Sequence, residues 1–324
     1  MIESMLDGGW ASVVVVAPHP DDESIAAGGL IQLALSRGAR VTVVFLTDGD
    51  NNPWPQRALE RRVWIGPRDR ARWGKRRRNE ARSAVAILGV PNSSVRYLGL
   101  PDMGVTVSLE TDTAATVEML CKIFRDVSPT LVVAPSLSDA HPDHSAAHVM
   151  CRLALAECGS NARVLSYVVH GATDALAIEC VIDSQLLEQK RRSVGAYHTQ
   201  LVLSGKRIQA YAARPERFVI EPPVVSHALS PLVQLPWRVS RLSVALADVI
   251  LVARTRAWRI AIESTASIQP SCDTPRCIRD RAGQLSLQLP PGLVGSSPAY
   301  AKLRGRLSSP WIYDRWGWVR IGGR

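Results

Sequence analysis

From residue 12 to about residue 200, short apolar runs alternate with longer stretches whose apolar positions recur every three to four residues. SVVVVAP (12–18) is β-branched with no polar alternation, the pattern of a strand buried on both faces. VTVVFLT (41–47), VRYLGL (95–100), TLVVAPS (130–136) and VLSYVVHG (164–171) read as further strands. Helical patterns lie between them at 23–37, 75–88, 112–127 and from Pro142 to Ala156, with another at 184–200. Gly38 and Gly89 stop the first two helices, and Pro142 suits a first helical turn.

This strand–helix rhythm predicts an α/β fold, a Rossmann-like, mostly parallel sheet with helices on both faces. Such sheets bind ligands outside the carboxyl ends of their strands. Attention therefore falls on the polar clusters that follow the first and fourth main strands, PHPDDE (18–23) and DAHPDH (139–144). No GxGxxG follows the first strand, and Gly28-Gly29 comes too late for one, which disfavours a dinucleotide site. After Thr199 the pattern changes. RFVIEPPVV (217–225) predicts a short strand ending in prolines, and 307–323 predicts a hairpin or strand pair. The predicted boundary divides a domain at 1–221 from a basic, Trp/Arg-rich C-terminal extension at 222–324.

Composition narrows the classes. At 324 residues, 46% hydrophobic and 21% charged, the chain is too apolar for a disordered protein. The longest apolar candidate, 242–253, carries Asp248 and falls short of the roughly 18 residues of a membrane span. The opening MIESMLDGGWAS lacks the basic cluster and apolar core of a signal segment, so a cytoplasmic protein is expected. Six cysteines form no CxxC pair and read as reduced thiols; Cys272 and Cys277 alone make a poor zinc site.

The two polar clusters carry the candidate chemistry. PHPDDE offers one imidazole and three carboxylates, and the stretch 139–148 offers three imidazoles and two carboxylates. A catalytic divalent ion such as zinc takes three His/Asp-type ligands and keeps one position open. His19 and Asp22 converge on one ion if the helix starts between them, and His144 supplies a third ligand. His148, four residues on, is an alternative ligand or a supporting residue behind His144. The plain reading makes Asp22 and Asp139 helix caps and His148 a core histidine. Against it, four of the seven histidines lie in these two stretches, each with a His-Pro-Asp core.

VVVVAPHPDDESIAAGG (13–29) resembles the opening motif of the LmbE-like, or PIG-L, N-acetylglucosamine deacetylases, and PSLSDAHPDHSAAH (135–148) resembles their second motif. Arg77-Arg78-Asn79-Glu80-Ala81, Leu98-Gly99-Leu100-Pro101-Asp102 and KRRSVGAYHTQ (190–200) are similar to further family segments, so that the match covers roughly 12–220. The resemblance implies a Zn2+-dependent (or other divalent-metal) hydrolase that removes an N-acetyl group from an amino sugar. It implies His19, Asp22 and His144 as metal ligands and Asp21 as general base. His141 would be the acid or oxyanion-stabilising group with Asp143 orienting it, and Arg77 and Asp102 would contact substrate. Some members place a tyrosine where this chain has Asp139. Related readings keep the chemistry and change the amide to a thiol conjugate or an antibiotic sugar.

The charge is uneven. The net charge is +10, and 222–324 holds fourteen Lys/Arg against five Asp/Glu. A second basic stretch, 57–82, holds eleven against three, with Trp64 and Trp73. The plain readings are a solvated loop and helix face at 57–82 and core tryptophans with solvated arginines in the extension. The alternatives are a lid beside the site attracting a lipid- or phosphate-linked sugar, and peripheral membrane contact through the extension. Nucleic-acid binding is disfavoured for want of a motif or a periodic basic stripe. Homo-oligomerisation is compatible with such a chain.

Overall fold

The computed structural model describes residues 12–223, 229–264, 272–294, 298–306 and 313–322. His227 and the part of the expected hairpin at 307–312 lie outside them, as does the N-terminal segment.

The apolar runs form β1 (Ser12–Ala17), β2 (Arg40–Thr47), β3 (Val95–Leu100), β4 (Leu131–Pro135) and β5 (Arg163–Tyr167), paired in parallel. A short β6 (Ile178–Cys180) and β7 (Glu216–Glu221) complete the sheet antiparallel, in the order β3-β2-β1-β4-β5-β7-β6. The fold is thus α/β with a mostly parallel sheet. β1 shows why its sequence has no polar alternation. Val13, Val15 and Ala17 enter one apolar core, Val14 and Val16 the other, and all are fully buried.

Helices α1 (Asp22–Ser36), α2 (Pro53–Glu60), α3 (Pro67–Ile87), α4 (Val105–Thr111), α5 (Thr113–Val127), α6 (Pro142–Glu157), α7 (Ser184–Gly195) and α8 (His198–Ala212) surround the sheet. Three elements differ from expectation, two of them helices with a local cause. α3 starts eight residues early, because Pro67 begins it and the Asp69 carboxylate accepts the Gly66 amide (3.0 Å). The helix expected at 184–200 breaks before Tyr197 (φ −84°, ψ 63°), where the Tyr197 hydroxyl bonds Glu23 and the Thr199 amide bonds Glu80 (3.1 Å). β5 stops at Tyr167, so Val169 and His170 lie in the loop beyond it.

α1 is pinned from behind. Glu216 accepts the amides of Gly29 (2.6 Å) and Leu30 (2.9 Å) and pairs with the buried Lys190 ammonium (2.7 Å). A Cβ at Gly29 would lie 2.8 Å from Ile182 Cγ2, so only glycine allows this approach. The pair fixes the helix that presents Asp22.

Beyond residue 231 a second sheet forms from β8 (Leu232–Arg238), β9 (Ala247–Ala253), β10 (Arg256–Glu263), β11 (Arg276–Arg279), β12 (Gln284–Gln288), β13 (Ala299–Gly305) and β14 (Val319–Ile321). The strand pair at the end joins β14 to β13, rather than closing within 307–323. Ile250, Val252, Tyr300 and Trp318 enter the same core as α4, α5 and α6. Burying four such side chains stabilises the docking by about 6–12 kcal/mol, before ordering entropy is counted. The basic residues are largely engaged: Arg259 and Arg306 hold Asp248 (2.7 and 2.6 Å), Arg259 and Arg304 reach Glu110 on α4, and Lys302 holds Asp314. Trp237 and Trp318 are buried, and Trp258 and Trp316 pack against the core of the second sheet. The described tryptophans of the extension are thus interior or half-buried, while most of its arginines are exposed and several are paired. All six cysteines are free thiols.

Candidate active site

The parallel sheet runs out from β1 in both directions, β2-β3 to one side and β4-β5 to the other, so β1 and β4 flank a topological switch point. The loops after all five parallel strands meet there around a cleft of about 300 Å³. His19, Asp21 and Asp22 follow β1, Asn51 and Asn52 follow β2, Asp102 and Met103 follow β3, His141 follows β4, and Val169 and His170 follow β5.

Asp22 Oδ2 is the meeting point of the two motifs. It accepts the His19 amide (2.9 Å) and lies 3.3 Å from His19 Nδ1 and 3.2 Å from His144 Nε2. Ligand atoms at the corners of a tetrahedron with bonds of 2.0–2.1 Å sit about 3.3 Å apart, so these two contacts suit a zinc-sized ion, while the trios whose ligand atoms all lie within 4.8 Å of one another are His19/His141/His144 and His19/Asp102/Asp143. The proton positions agree. Asp139 Oδ2 faces His144 Nδ1 (3.1 Å), a contact that would hold the proton on Nδ1 and free the Nε2 lone pair once a cation replaces the proton at Nε2. That Nε2 is buried and without a hydrogen-bond partner among the described residues. His19 Nε2 faces Asp102 Oδ1 (3.2 Å) and Asp143 Oδ2 (3.3 Å), leaving Nδ1 toward Asp22. An orphaned buried nitrogen, a second turned imidazole and a shared carboxylate fit a divalent cation.

His141 is turned the other way. Its Nδ1 accepts the Asp143 amide (3.2 Å), and an amide can only donate. A neutral His141 therefore carries its proton on Nε2, as a donor rather than a ligand. Its ring sits 4.7 Å from that of His19 and 4.9 Å from that of His144. Burial, reinforced by the nearby His19, His144 and His170, pushes its pKa far down, so the ring stays neutral. The Asp143 carboxylate does not face it; besides His19 it accepts the amides of Met103 (2.7 Å) and Val105 (3.1 Å).

Asp21 occupies a strained conformation, φ 131°, rare for a residue with a Cβ and costing about 1–3 kcal/mol. Its neighbours over-determine it. The Asp21 amide donates to Glu23 Oε2 (3.1 Å), and Thr47 donates to the Pro18 carbonyl through its amide (3.0 Å) and hydroxyl (2.9 Å). Arg77 donates to the carbonyls of Pro20 and Gly49 and to Asp21 Oδ2 (3.3 Å). The Gln200 amide oxygen, turned to the guanidinium, accepts from Arg77 Nη1 (3.0 Å). A Cβ at Gly49, with φ +61°, would lie 1.8 Å from Arg77 Nη1. Arg77 thus lines the cleft, but its donors are committed to the loop. Burial pushes the Asp21 carboxyl up to about 7, although Arg77 opposes this. Burial likewise disfavours a charged Asp22, yet His144 and His19 hold its pKa well below the usual range.

Two residues of the site had no assigned role in the sequence. Asp139 accepts four bonds, from His144 Nδ1 and the amides of His141 (2.9 Å), Val169 (2.8 Å) and His170 (3.1 Å). His170, with its ring 5.1 Å from that of His144, follows β5; the strand-end rule that found the other clusters also points to it. His148 does not reach the cluster: its Nδ1 meets the Pro135 carbonyl (3.0 Å) and its ring faces Tyr300. Trp54 of α2 and Tyr211 of α8 line the cleft, together with Tyr313 from the C-terminal extension, whose ring stands 5.5 Å from that of His170. The Asp314 amide anchors this segment to the Ala140 carbonyl (2.9 Å), next to His141.

Fold and site together define an α/β protein with a buried His/Asp cluster, a candidate metal pocket, at its switch point. Residues 14–155 match the family described as PIG-L: GlcNAc-PI de-N-acetylase. It is 33% identical over 174 residues to a 1D-myo-inositol 2-acetamido-2-deoxy-alpha-D-glucopyranoside deacetylase of Saccharomonospora viridis, covering 48% of this chain and 62% of that one. It is 30% identical over 166 residues to a probable N-acetyl-alpha-D-glucosaminyl L-malate deacetylase of Bacillus anthracis, covering 48% and 65%. The matches thus span less than two thirds of these relatives. The fold resembles that of the N,N'-diacetylchitobiose deacetylase of Pyrococcus horikoshii, with TM-score 0.53 and 20% identity, over 68% of this chain and 90% of that one.

Proposed function

We propose that the protein is a metal-dependent N-deacetylase that hydrolyses the acetamide of an N-acetylglucosaminide. The observation that carries this reading is the set of opposed proton positions in one cleft. His144 turns Nε2 toward Asp22 with Nδ1 held by Asp139, His141 turns an N–H into the site, and Asp21, held by Arg77, has its carboxyl pushed up to about 7.

His19, Asp22 and His144 would hold the ion, which when bound supplies Lewis acidity toward a water and an acyl oxygen. Asp21 takes the proton that the water loses as it adds to the acetyl carbon. The His141 Nε2–H donates to the acyl oxygen where negative charge develops. The C–N bond then breaks, and Asp21 returns its proton to the departing amine, giving acetate and a free amino sugar. A neutral His141 serves as donor throughout, so proton transfer in both directions falls to Asp21. Asp139 positions His144, Asp102 and Asp143 position His19, and Arg77 positions Asp21.

The two curated relatives share an N-acetylated α-D-glucosaminide in their names, which supports that sugar as the reacting unit. Trp54, Tyr211 and Tyr313 give the cleft aromatic walls for a pyranose or its aglycone. Free cysteines and the absence of a membrane-crossing helix among the described residues accord with a cytoplasmic setting. The test is acetate release from a panel of N-acetylglucosaminides with zinc-loaded protein. Release that is lost in Asp21→Asn supports the reading; no release from any member overturns it.

A further inference from the structure

One exposed apolar surface near the cleft belongs to neither sheet. Between α2 and α3, Val63 is 89% and Trp64 83% exposed, and Trp54, at the start of α2, is 65% exposed. Three large apolar side chains thus face solvent within eleven residues of sequence. Cationic residues flank them along the chain. Residues 54–76 hold eight Lys/Arg and two acids, Glu60 and Asp69. Those acids are taken up by Arg62 and Arg72 (Arg62–Asp69 3.0 Å, Arg72–Asp69 2.9 Å). Arg61, Arg68 and Arg70 are exposed beyond these pairs, and the Arg57 guanidinium lies 5.0 Å over the Trp54 ring.

We infer that this tip docks the protein on an anionic lipid surface. Tryptophan and valine at the apex with arginines around them match what such an interface offers, a shallow apolar layer under negative headgroups. A second copy of the same tip would set arginines against arginines. Position gives the surface its use. α2 has eight residues and is about 12 Å long. Its first turn carries Trp54 on the rim of the cleft and its end leads into Val63 and Trp64. Insertion of the tip to about 5–10 Å leaves the cleft mouth at headgroup level. A docked molecule would therefore meet amino sugars carried on lipid. The surface is distinct from the C-terminal extension, whose tryptophans are largely interior.

The experiment is co-sedimentation of the full chain with vesicles of phosphatidylcholine alone or with 30% phosphatidylglycerol, at low and high salt. The variants are Val63→Ser/Trp64→Ser and, separately, Arg61→Gln/Arg68→Gln/Arg70→Gln. The inference expects binding to the anionic vesicles at least tenfold above neutral ones, and a fall of tenfold or more in each variant. Both variants alter exposed side chains, and an unchanged melting temperature and unchanged turnover of a soluble substrate show that the fold is intact. Equal partition onto neutral vesicles overturns the inference. So does anionic binding that Val63→Ser/Trp64→Ser leaves untouched and that RNA competes away. A drop in sedimentation mass of this variant without loss of vesicle binding assigns the tip to self-association instead. The deacetylase reading stands or falls separately, on acetate release from soluble substrate.

Discussion

Asp139→Asn separates a residue that supports the metal pocket from one that only closes a turn. In the native protein Oδ1 accepts one bond and Oδ2 accepts three. Asparagine can keep its oxygen on the three-donor side, but its NH2 then faces the His141 amide, two donors with no acceptor. That lost bond costs about 1–3 kcal/mol. The three remaining bonds lose their charge assistance, about 1 kcal/mol each, partly offset because a charge is no longer buried. The net expectation is about 2–4 kcal/mol of stability, read by urea denaturation of metal-free protein. Metal binding should suffer separately. His144 loses the anion that fixes its tautomer, and such losses typically weaken affinity 10–100-fold, about 1.4–2.7 kcal/mol. Competition against a chromophoric zinc chelator measures this. An affinity within twofold of the native protein, alongside the expected stability loss, would refute the proton-position argument and leave Asp139 a structural residue.

Other substitutions probe other parts of the molecule. His141→Ala should lower kcat about 100–1000-fold while zinc content by mass spectrometry is unchanged, whereas His144→Ala should lose the metal; metal loss in His141→Ala would make it a ligand. Lys190→Met strands the Glu216 carboxylate behind α1 and should cost about 3–5 kcal/mol by urea denaturation, with Lys190→Met/Glu216→Leu recovering part of it. A cost below about 1 kcal/mol would show that the two helix amides alone satisfy Glu216. For Asp248, burial opposes the charge but Arg306 and Arg259 hold its pKa below the usual range. Its contribution is complete above the unfolded value of about 3.9 and lost as pH falls through the lower folded value. Melting temperatures from pH 6 to pH 2 should therefore fall more steeply for the native protein than for Asp248→Asn, and parallel curves would contradict this.

Much of the first sheet was legible because β1, β2 and β4 are buried on both faces, and unbroken β-branched runs have few other uses. The chemistry was legible where it was dense: both His-Pro-Asp segments follow parallel strands, and the switch point brings them together. Single residues were harder. Asp139 reads as a cap or a turn residue until its four donors are seen to come from two separate loops. His170 is a lone histidine after a strand. The extension, read as a basic tail mixed with tryptophan, is a seven-stranded sheet. Its hairpins β9–β10 and β11–β12 are local, but β8 pairs with β12 and β9 with β13 across about fifty residues, which local pattern does not reveal.

Up to about residue 170, the amino-acid sequence by itself determined the main strands and helices, and which side chains stand at the strand ends, because burial and periodicity act on neighbours along the chain. Only the tertiary structure decided which nitrogen of each imidazole is free, how far Asp21 is strained, and that Tyr313 closes the cleft from the far end of the chain. Those properties depend on what stands opposite each atom, and packing sets that across separations of more than a hundred residues.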